Sequence, residues 1–382
     1  MIAYLDNSAT TRPSRAVAEA VEQWMDGGWY NPSALYKPAM EIQKQVDEVR
    51  RLCMHALDVP DGRVIFTSGG TEADNLAILG YLRGKRGGRV LFSSVEHPAV
   101  SSCAEEIRRL GFTAEEIPSS SAGTVDLETL ENMMDDQVVL IAVMQVNNET
   151  GAVEPLERIS ELRKRLCPDA VFHVDGVQGF LRMPVSFRKL GLQSYALSAH
   201  KIQGLKGTGA LVTVKNHPLH PILYGGGQEG NLRSGTENTF GILALGKAIS
   251  QFDPESNERM RILKNRLWSN IHELIPEAQQ NGPEDHPEHT APHILNAAFE
   301  PVRSQTMLFA LEGDGIFVSA GSACASRKQK ISPVLRAMGI PTQRADCSLR
   351  FSLSPETTAE EVDYAAERTA HHYRILKKFT RR

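Results

Sequence analysis

The sequence predicts an α/β protein with a mostly parallel sheet covered on both faces, followed by a smaller α+β unit. Between about residues 63 and 214, short β-branched runs alternate with amphipathic stretches, a rhythm typical of two-sided parallel sheets. Beyond about residue 253 this rhythm is replaced by a long helical pattern and by strands interleaved with helices. The chain has 382 residues, of which 41% are hydrophobic. Because single cores stop growing near ~250–300 residues, we expect two domains.

Each element is predicted from its own pattern. The strands of the sheet are expected at five β-branched runs, at residues 64–66, 90–92, 138–143, 170–174 and 210–214. A helix that packs on the sheet is expected from apolar residues at three- and four-residue steps, at Ile42, Val46, Val49, Leu52 and Ala56. The same spacing predicts a long helix in the second unit, through Met260, Leu263, Leu267, Ile271 and Leu274.

Charge and cysteine content exclude several functional classes. The net charge of −4 carries no signature of nucleic-acid binding. The N-terminus lacks a targeting pattern, and no apolar run approaches the ~18 residues that span a bilayer. We therefore expect a cytoplasmic protein without membrane or direct nucleic-acid partners. The five cysteines, at positions 53, 103, 167, 324 and 347, match neither a disulfide framework nor a metal site. Any special cysteine is thus expected to be a nucleophile, and no metal is expected.

A glycine turn after the first strand is a candidate phosphate site. Residues 68–72 read SGGTE and open an apolar helix. Glycines let backbone N–H groups approach an anion, and the helix N-terminus adds partial positive charge. A tight turn capped by Thr71 is the alternative interpretation.

Two charged residues follow later strands. Asp175 ends the strand HVD, and its burial requires a cationic partner such as a protonated pyridine nitrogen. A helix N-cap is the alternative for this Asp. Lys201 ends the run SAHK, and burial there would lower the pKa of its amine and so favour Schiff-base chemistry. The alternative interpretation is a solvated surface lysine, which is the usual state of a lone lysine in a loop. A phosphate cradle, a strand-end acid and a strand-end lysine, in this order, are the parts of a pyridoxal-phosphate site.

With these residues in place, the sequence resembles the cysteine desulfurases of the class V aminotransferase group over nearly its whole length. The matching motifs are YLDNSATT at 4–11, NPS at 31–33, FTSGGTE at 66–72, EH at 96–97, VNNETG at 146–151, HVD at 173–175, SAHK at 198–201, GGGQE at 225–229, RSGT at 233–236, GSAC at 321–324 and LRFS at 349–352. The resemblance implies a fold type I pyridoxal-phosphate transferase with a seven-stranded sheet. We expect a large cofactor-binding domain over residues 14–254 and a small domain over 1–13 and 255–382 that carries the catalytic cysteine.

The resemblance also implies roles for individual residues. Lys201 would form the covalent link to the cofactor, Asp175 would pair with the pyridine nitrogen, and Gln178 would bond the phenolic oxygen. His97 would stack on the ring and act as a further catalytic residue. Phosphate contacts are implied for Gly70, Thr71, Ser198 and His200, with Thr236 reaching the phosphate of the partner in a homodimer. Asn148 would lie beside the ring and, with Arg350, position the L-cysteine substrate through its carboxylate.

Cys324 is the implied sulfur acceptor. It lies in the small, basic run GSACASRKQK at residues 321–330, where nearby cations favour the thiolate. Cys53, Cys103 and Cys167 are instead expected in the core. Cys347 stands where the family is expected to have Ser, close in sequence to Arg350, so that a role in sulfur relay stays open.

The implied activity is conversion of L-cysteine to L-alanine, with sulfur passed as a persulfide to an acceptor protein. An iron–sulfur scaffold, a tRNA-thiolating enzyme and a cofactor-biosynthesis enzyme are the candidate acceptors. The alternatives are a selenocysteine lyase or an aminotransferase on the same scaffold, or a catalytically silent scaffold protein. The silent protein would be expected to lack Lys201 or Asp175, and both are present.

Overall fold

The computed structural model describes residues 1–283, 288–321 and 331–379. The first strand, β1 (Ala3–Tyr4), lies outside the central sheet. That sheet has seven strands: β2 (Arg63–Thr67), β3 (Arg89–Ser93), β4 (Thr113–Ile117), β5 (Val138–Met144), β6 (Val171–Asp175), β7 (Ser194–Ser198) and β8 (Gly209–Thr213).

The strand order is β2-β8-β7-β6-β5-β3-β4. Strand β8 pairs antiparallel with both β2 and β7, whereas the other neighbouring pairs are parallel. The prediction of a mostly parallel sheet is therefore confirmed. The five predicted runs include neither β4, which lies at one edge of the sheet, nor β7, of which only the end was expected, at the run SAHK.

Helices cover both faces of the sheet. The helices of this part of the chain are α1 (Arg15–Gly27), α2 (Lys37–Ala56), α3 (Gly70–Asn75), α4 (Pro98–Ser101), α5 (Ala104–Arg109), α6 (Leu127–Met133), α7 (Leu156–Leu166), α8 (Phe187–Leu190), α9 (Gln228–Asn231), which has no buried residue, and α10 (Thr239–Ser250). Successive residues of β5 enter different hydrophobic clusters: Ile141 and Val143 pack with α2, α7 and α10, and Leu140 and Ala142 pack with α5. This alternation is what a strand with two covered faces requires.

The remaining elements form smaller sheets. Strand β1 pairs in parallel with β11 (Ile316–Phe317), and an antiparallel sheet contains β9 (Gln279–Asn281), β10 (Ile294–Ala298) and β12 (Ser348–Ser352). The helices here are α11 (Glu255–Leu274), α12 (Ser304–Gly313), α13 (Pro333–Ala337), α14 (Thr342–Asp346) and α15 (Ala359–Leu376). Ala3 and Leu5 share one hydrophobic cluster with side chains of α11, α12, β12 and α15. Among the described residues, no helix combines the length and apolar character that crossing a membrane requires.

One buried carboxyl group outside the site gives a stability prediction. Glu154 Oε2 accepts a hydrogen bond from the Val125 backbone at 2.8 Å, and Oε1 has no partner among the described residues. Burial raises the pKa of Glu154 to about 8. Because the unfolded chain releases this proton at a lower pH, the stabilising contribution is complete below about pH 4 and is lost as pH rises toward 8.

Glu154→Gln removes this titration. The free energy of unfolding of the variant, relative to the natural chain, is expected to increase by about 2–4 kcal/mol between pH 5 and pH 8. Urea unfolding of both proteins at the two pH values measures the difference. Equal pH dependence in the two proteins would show that Glu154 does not titrate in this way.

Candidate active site

The carboxyl edge of the central sheet opens into a cavity of about 210 Å³. Parallel sheets place ligand sites at this edge. The cavity is lined by Ser8, Ala9, Gly70, Thr71, Asp74, His97, Met144, Val146, Asn148, Asp175, Val177, Gln178, Ser198, His200, Lys201 and Arg350. The structure thus brings together every cofactor and substrate residue predicted from the sequence except Thr236, which is exposed elsewhere on this chain. Cys324 lies outside the described residues.

Lys201 lies one short turn beyond the end of β7. The 3₁₀ turn Ala199–Lys201 follows Ser198 directly. The Lys201 ammonium donates to the carbonyl oxygens of Ser8 and Ala9, with a distance of 3.0 Å to Ala9. The N-terminal segment therefore passes across the lysine and forms one wall of the cavity.

Asp175 ends β6 inside the cavity. Its Oδ1 accepts from the Val177 backbone at 2.9 Å. Burial raises the pKa of Asp175, and the charges of His97 and Lys201 lower it. A buried carboxylate that holds its charge here needs a cation, and a protonated ring nitrogen would supply one.

His97 is the N-cap of α4. Its Nδ1 accepts from the Ala99 backbone at 3.1 Å, which places a proton on Nε2 in the neutral ring. Burial lowers the pKa of His97, while the charge of Asp175 raises it. A largely neutral, flat imidazole at this position is suited to stacking on an aromatic ring.

Four residues that line the cavity are suited to a phosphate group. Gly70 begins α3, and a Cβ there would lie 2.4 Å from Val177 Cγ2, so that the close approach of the two segments requires glycine. Thr71 and the β7 residue Ser198 line the same cavity. His200 bonds Thr10 Oγ1 at 3.1 Å, and burial lowers the pKa of His200 to about 4.

These groups fit pyridoxal phosphate. Backbone and hydroxyl donors, a buried carboxylate and an amine all line the same cavity. Gln178 also lines the cavity, although its amide nitrogen is bound to the Ser8 carbonyl at 3.0 Å. The individual contacts to the cofactor stay predictions.

Arg350 brings a guanidinium to the same cavity from β12. It is 1% exposed, its Nη2 lies 2.7 Å from Asp6 Oδ1, and its Nη1 donates to the Asn148 carbonyl at 2.8 Å. The Nε atom has no partner among the described residues. The two acceptors orient the guanidinium. They use only two of its five N–H groups, so that others can bind a substrate carboxylate.

Several residues of this site had no role in the sequence reasoning. Asp6, Ser8 and Ala9 lie in the first motif, which was matched as a whole without assigned contacts. Asp74, 1% exposed, pairs through Oδ1 with His173 Nε2 at 3.1 Å. Its position three residues after Thr71 on a helix was the available signal, because such residues share a face.

The described cysteines lie away from the cavity. Cys53, Cys103 and Cys167 are buried in hydrophobic clusters, as predicted. Cys347 is 3% exposed, does not line the cavity, and has its pKa raised to about 11, mainly by burial. This environment opposes formation of a reactive thiolate.

Comparison with known proteins gives a consistent result. A family model of the class-V aminotransferases matches residues 3–365. Cysteine desulfurase IscS of Clostridium botulinum is 37% identical over 369 residues, which cover 95% of this chain and 92% of that protein. Cysteine desulfurase IscS of Methanosarcina thermophila is 36% identical over 369 residues, which cover 95% of this chain and 90% of that protein.

Solved structures show the same fold. A NifS-like protein superimposes with a TM-score of 0.90 at 31% identity, covering 98% of this chain and all of that one. The structure described as SspA in complex with cysteine has a TM-score of 0.79 at 28% identity, covering 93% of this chain and 100% of that one. The chain therefore belongs to the class-V aminotransferase family and is a pyridoxal-phosphate-dependent enzyme.

Proposed function

We propose that the protein is a cysteine desulfurase, which converts L-cysteine to L-alanine and takes the sulfur as a persulfide on Cys324. The observation that carries the proposal is the single cavity in which the oriented guanidinium of Arg350 accompanies Lys201 and Asp175. Relatives at 36–37% identity are named cysteine desulfurases, and one structural neighbour is described in complex with cysteine.

Different residues of the cavity bind the substrate and transfer the proton. Arg350 takes the substrate carboxylate, and Asn148 limits how the substrate can lie beside the ring. Pyridoxal phosphate, when bound, supplies an electrophilic aldehyde and a ring that accepts the electron pair left at the α-carbon. The amine of Lys201, once released by the substrate, moves the proton at the α-carbon, because its tether to the end of β7 keeps it in the cavity.

Cys324 completes the reaction in this proposal. Cys324 follows Gly321 by three positions, a tether of at most about 11 Å when extended. The thiolate attacks the substrate sulfur, so that an S–S bond forms as the carbon–sulfur bond breaks and the β-carbon gains a proton. L-cysteine and the Cys324 thiol give L-alanine and a Cys324 persulfide, and no outside oxidant or reductant is consumed.

The persulfide sulfur is then passed to a thiol of an acceptor protein. The acceptor serves iron–sulfur cluster assembly, tRNA thiolation or cofactor biosynthesis, and purified acceptors of the three kinds distinguish these routes. Transfer of ³⁵S from labelled L-cysteine, through the protein, to one acceptor and not to the others would identify the partner.

The experiment that tests the proposed activity is product analysis. The protein is incubated separately with L-cysteine, with L-selenocysteine and with L-cysteine plus an oxoacid. Alanine from L-cysteine, together with sulfide when a thiol reductant is added to cleave the persulfide, supports a desulfurase. Turnover of selenocysteine only would identify a lyase for that substrate, and a new amino acid made from the oxoacid would identify an aminotransferase.

The active unit is proposed to be a homodimer, because residues 233–236 match a loop that completes the partner's phosphate site. Thr236 is exposed on this chain, where it is available to a second copy. Thr236→Ala is expected to weaken cofactor binding by about 1.5–3 kcal/mol, the value of a hydrogen bond to a charged group. Dialysis followed by cofactor absorbance measures this loss, and sedimentation of a fully active monomer would contradict the homodimer.

A further inference from the structure

One carboxyl group that lines the cavity, that of Asp74, has no role in the proposed reaction. Asp74 lies on α3, is 1% exposed and lines the cavity together with Thr71 and Asp175. Its Oδ1 atom lies 3.1 Å from Nε2 of His173, whereas its Oδ2 atom is buried and has no hydrogen-bond partner among the described residues. A buried oxygen that carries charge without a donor is costly, and an uncharged carbonyl oxygen is less so.

The contact between Asp74 and His173 joins two elements of the site. Asp74 follows Thr71 by three positions on α3, and residues at this spacing share a helix face. His173 precedes Asp175 by two positions on β6, and such residues share a face of the sheet. The contact therefore ties the helix that holds the predicted phosphate residues Gly70 and Thr71 to the strand whose acid is predicted to pair with the pyridine nitrogen.

The imidazole of His173 continues the chain of hydrogen bonds. Its Nδ1 atom lies 2.9 Å from Oγ of Ser194, and both residues are 0% exposed. Burial and the charge of His217 lower the pKa of His173 to about 3, so that the ring is neutral. A neutral imidazole has one N–H donor and one acceptor nitrogen. Either His173 donates to a charged Asp74, or a protonated Asp74 donates to Nε2 of His173, and the Nδ1–H group then donates to Ser194.

The titratable groups around Asp74 favour its protonated form. Burial raises the pKa of Asp74 well above its ordinary value, and the charges of Asp175 and Glu96 raise it further. Burial is also the main reason why the pKa of Cys103 is raised to about 12, so that this thiol is neutral. Because His173 is neutral as well, these four neighbours supply negative charge or none.

Asp175 is the acid of this pair that carries the charge. Its Oδ1 accepts the Val177 N–H at 2.9 Å. Burial raises the pKa of Asp175, and the positive charges of His97 and Lys201 lower it. When two carboxyl groups of one buried cluster share a proton, the charge stays on the group with cationic partners. Asp74 thus keeps the proton, and the oxygen left without a partner is an uncharged carbonyl oxygen.

We infer that Asp74 is a positioning residue, which donates its carboxyl proton to Nε2 of His173, holds α3 against β6 at the spacing that the cofactor requires, and leaves Asp175 as the charged acid of the pair. Asp74 acts through His173 in this role and not on the substrate. The inference concerns cofactor binding and applies to any pyridoxal-phosphate reaction in this cavity, so that it stands apart from the proposed sulfur transfer.

The test uses the cofactor-loaded protein and four variants. Asp74→Ala removes the donor, whereas Asp74→Asn keeps the shape and offers His173 an uncharged N–H donor. His173→Leu breaks the same contact from the side of the strand. Glu154→Ala is the matched control, because it removes another buried carboxyl group, which bonds Val125 and does not line the cavity.

Three quantities are measured. They are the loss of cofactor during dialysis, the pH at which the cofactor absorbance changes, and the infrared carboxyl bands of protein whose aspartate side chains carry ¹³C. Labelling of aspartate alone separates the band of Asp74 from those of the buried glutamates Glu96 and Glu154. At neutral pH the natural protein should show the labelled C=O band of a protonated carboxyl group, and Asp74→Asn and Asp74→Ala should lack it.

The variants should differ in how firmly they hold the cofactor. Asp74→Ala and His173→Leu should lose it about fivefold to tenfold faster than the natural protein, the range for one buried hydrogen bond. Asp74→Asn should retain it within about twofold and keep the pH of the absorbance change, because one neutral donor replaces another. Glu154→Ala should retain the cofactor as the natural protein does.

A natural protein without the labelled C=O band would contain a charged Asp74 and would overturn the inference. Asp74→Asn would then remove a negative charge, and the pH of the absorbance change should fall by about one unit, so that such a fall also contradicts the inference. Cofactor loss from Asp74→Ala and His173→Leu that is no faster than from Glu154→Ala would reject the positioning role. If Asp74→Ala does not fold, His173→Leu tests the contact. Failure to form alanine would reject the desulfurase function alone, since none of the three measurements uses turnover.

Discussion

Lys201→Ala is expected to abolish turnover and the covalent link to the cofactor, with a loss of at least about 10³-fold in the rate of alanine formation. The lysine is proposed both to bind the cofactor and to move the proton at the substrate α-carbon, so that one substitution removes two functions. The variant should fold, because the turn after β7 is held by backbone bonds, such as those of Ile202 and Gly204 to the Ala199 carbonyl.

Borohydride reduction followed by peptide mapping measures the covalent link. The pyridoxyl group should lie on the peptide that contains Lys201 and should be absent from the variant. Lys206→Ala is the matched control, since Lys206 is an exposed lysine of the same loop. A pyridoxyl group found on any other lysine of the natural protein would show that the site has been assigned to the wrong residue.

Cys324→Ser should retain the cofactor and bind L-cysteine, yet form no alanine. The ten cavity residues predicted to contact cofactor or substrate all belong to other segments, so that ring binding does not depend on this thiol. The serine hydroxyl cannot accept the sulfur as a thiolate does, and therefore the rate of alanine formation should fall below the detection limit of the assay.

Mass spectrometry after one turnover, without reductant, is the direct measurement. About one extra sulfur atom should be found on the Cys324 peptide of the natural protein. Cys347→Ser is the matched control and should act as the natural chain does, because Cys347 is buried and its pKa is about 11. A persulfide on Cys347, or full activity in Cys324→Ser, would indicate another route for the sulfur.

The sequence predicted most of the sheet and of the cavity because both are encoded locally. The β-branched runs at β5 and β6 are buried on both faces, and the residues that follow buried strands fall at one sheet edge. Asp175 and Lys201 could therefore be placed in one site before any contact was known. Strand β4 was missed because it is an edge strand whose residues Glu115 and Glu116 interrupt the apolar run, as charged residues often do at sheet edges.

The contacts of the N-terminal segment could not be predicted in this way. Asp6 reaches Arg350 across 344 positions of sequence, and Ser8 reaches Lys201 across 193. No periodicity or turn signal specifies such a pairing, which depends on how the smaller sheets lie against the central one. The same holds for the Asp74–His173 contact, which joins residues 99 positions apart.

The N-terminal wall of the cavity also fixes when the site can be assembled during synthesis. Strand β1 leaves the ribosome well before its partner β11, and Asp6 leaves it well before its partner Arg350, which follows 344 positions later. Domains generally fold as their residues emerge, but contacts this distant in sequence must wait for the later partner. A growing chain that already holds Lys201 and Asp175 therefore still lacks one side of the cavity. We expect the cofactor to be taken up only after Arg350 has been made and has paired with Asp6.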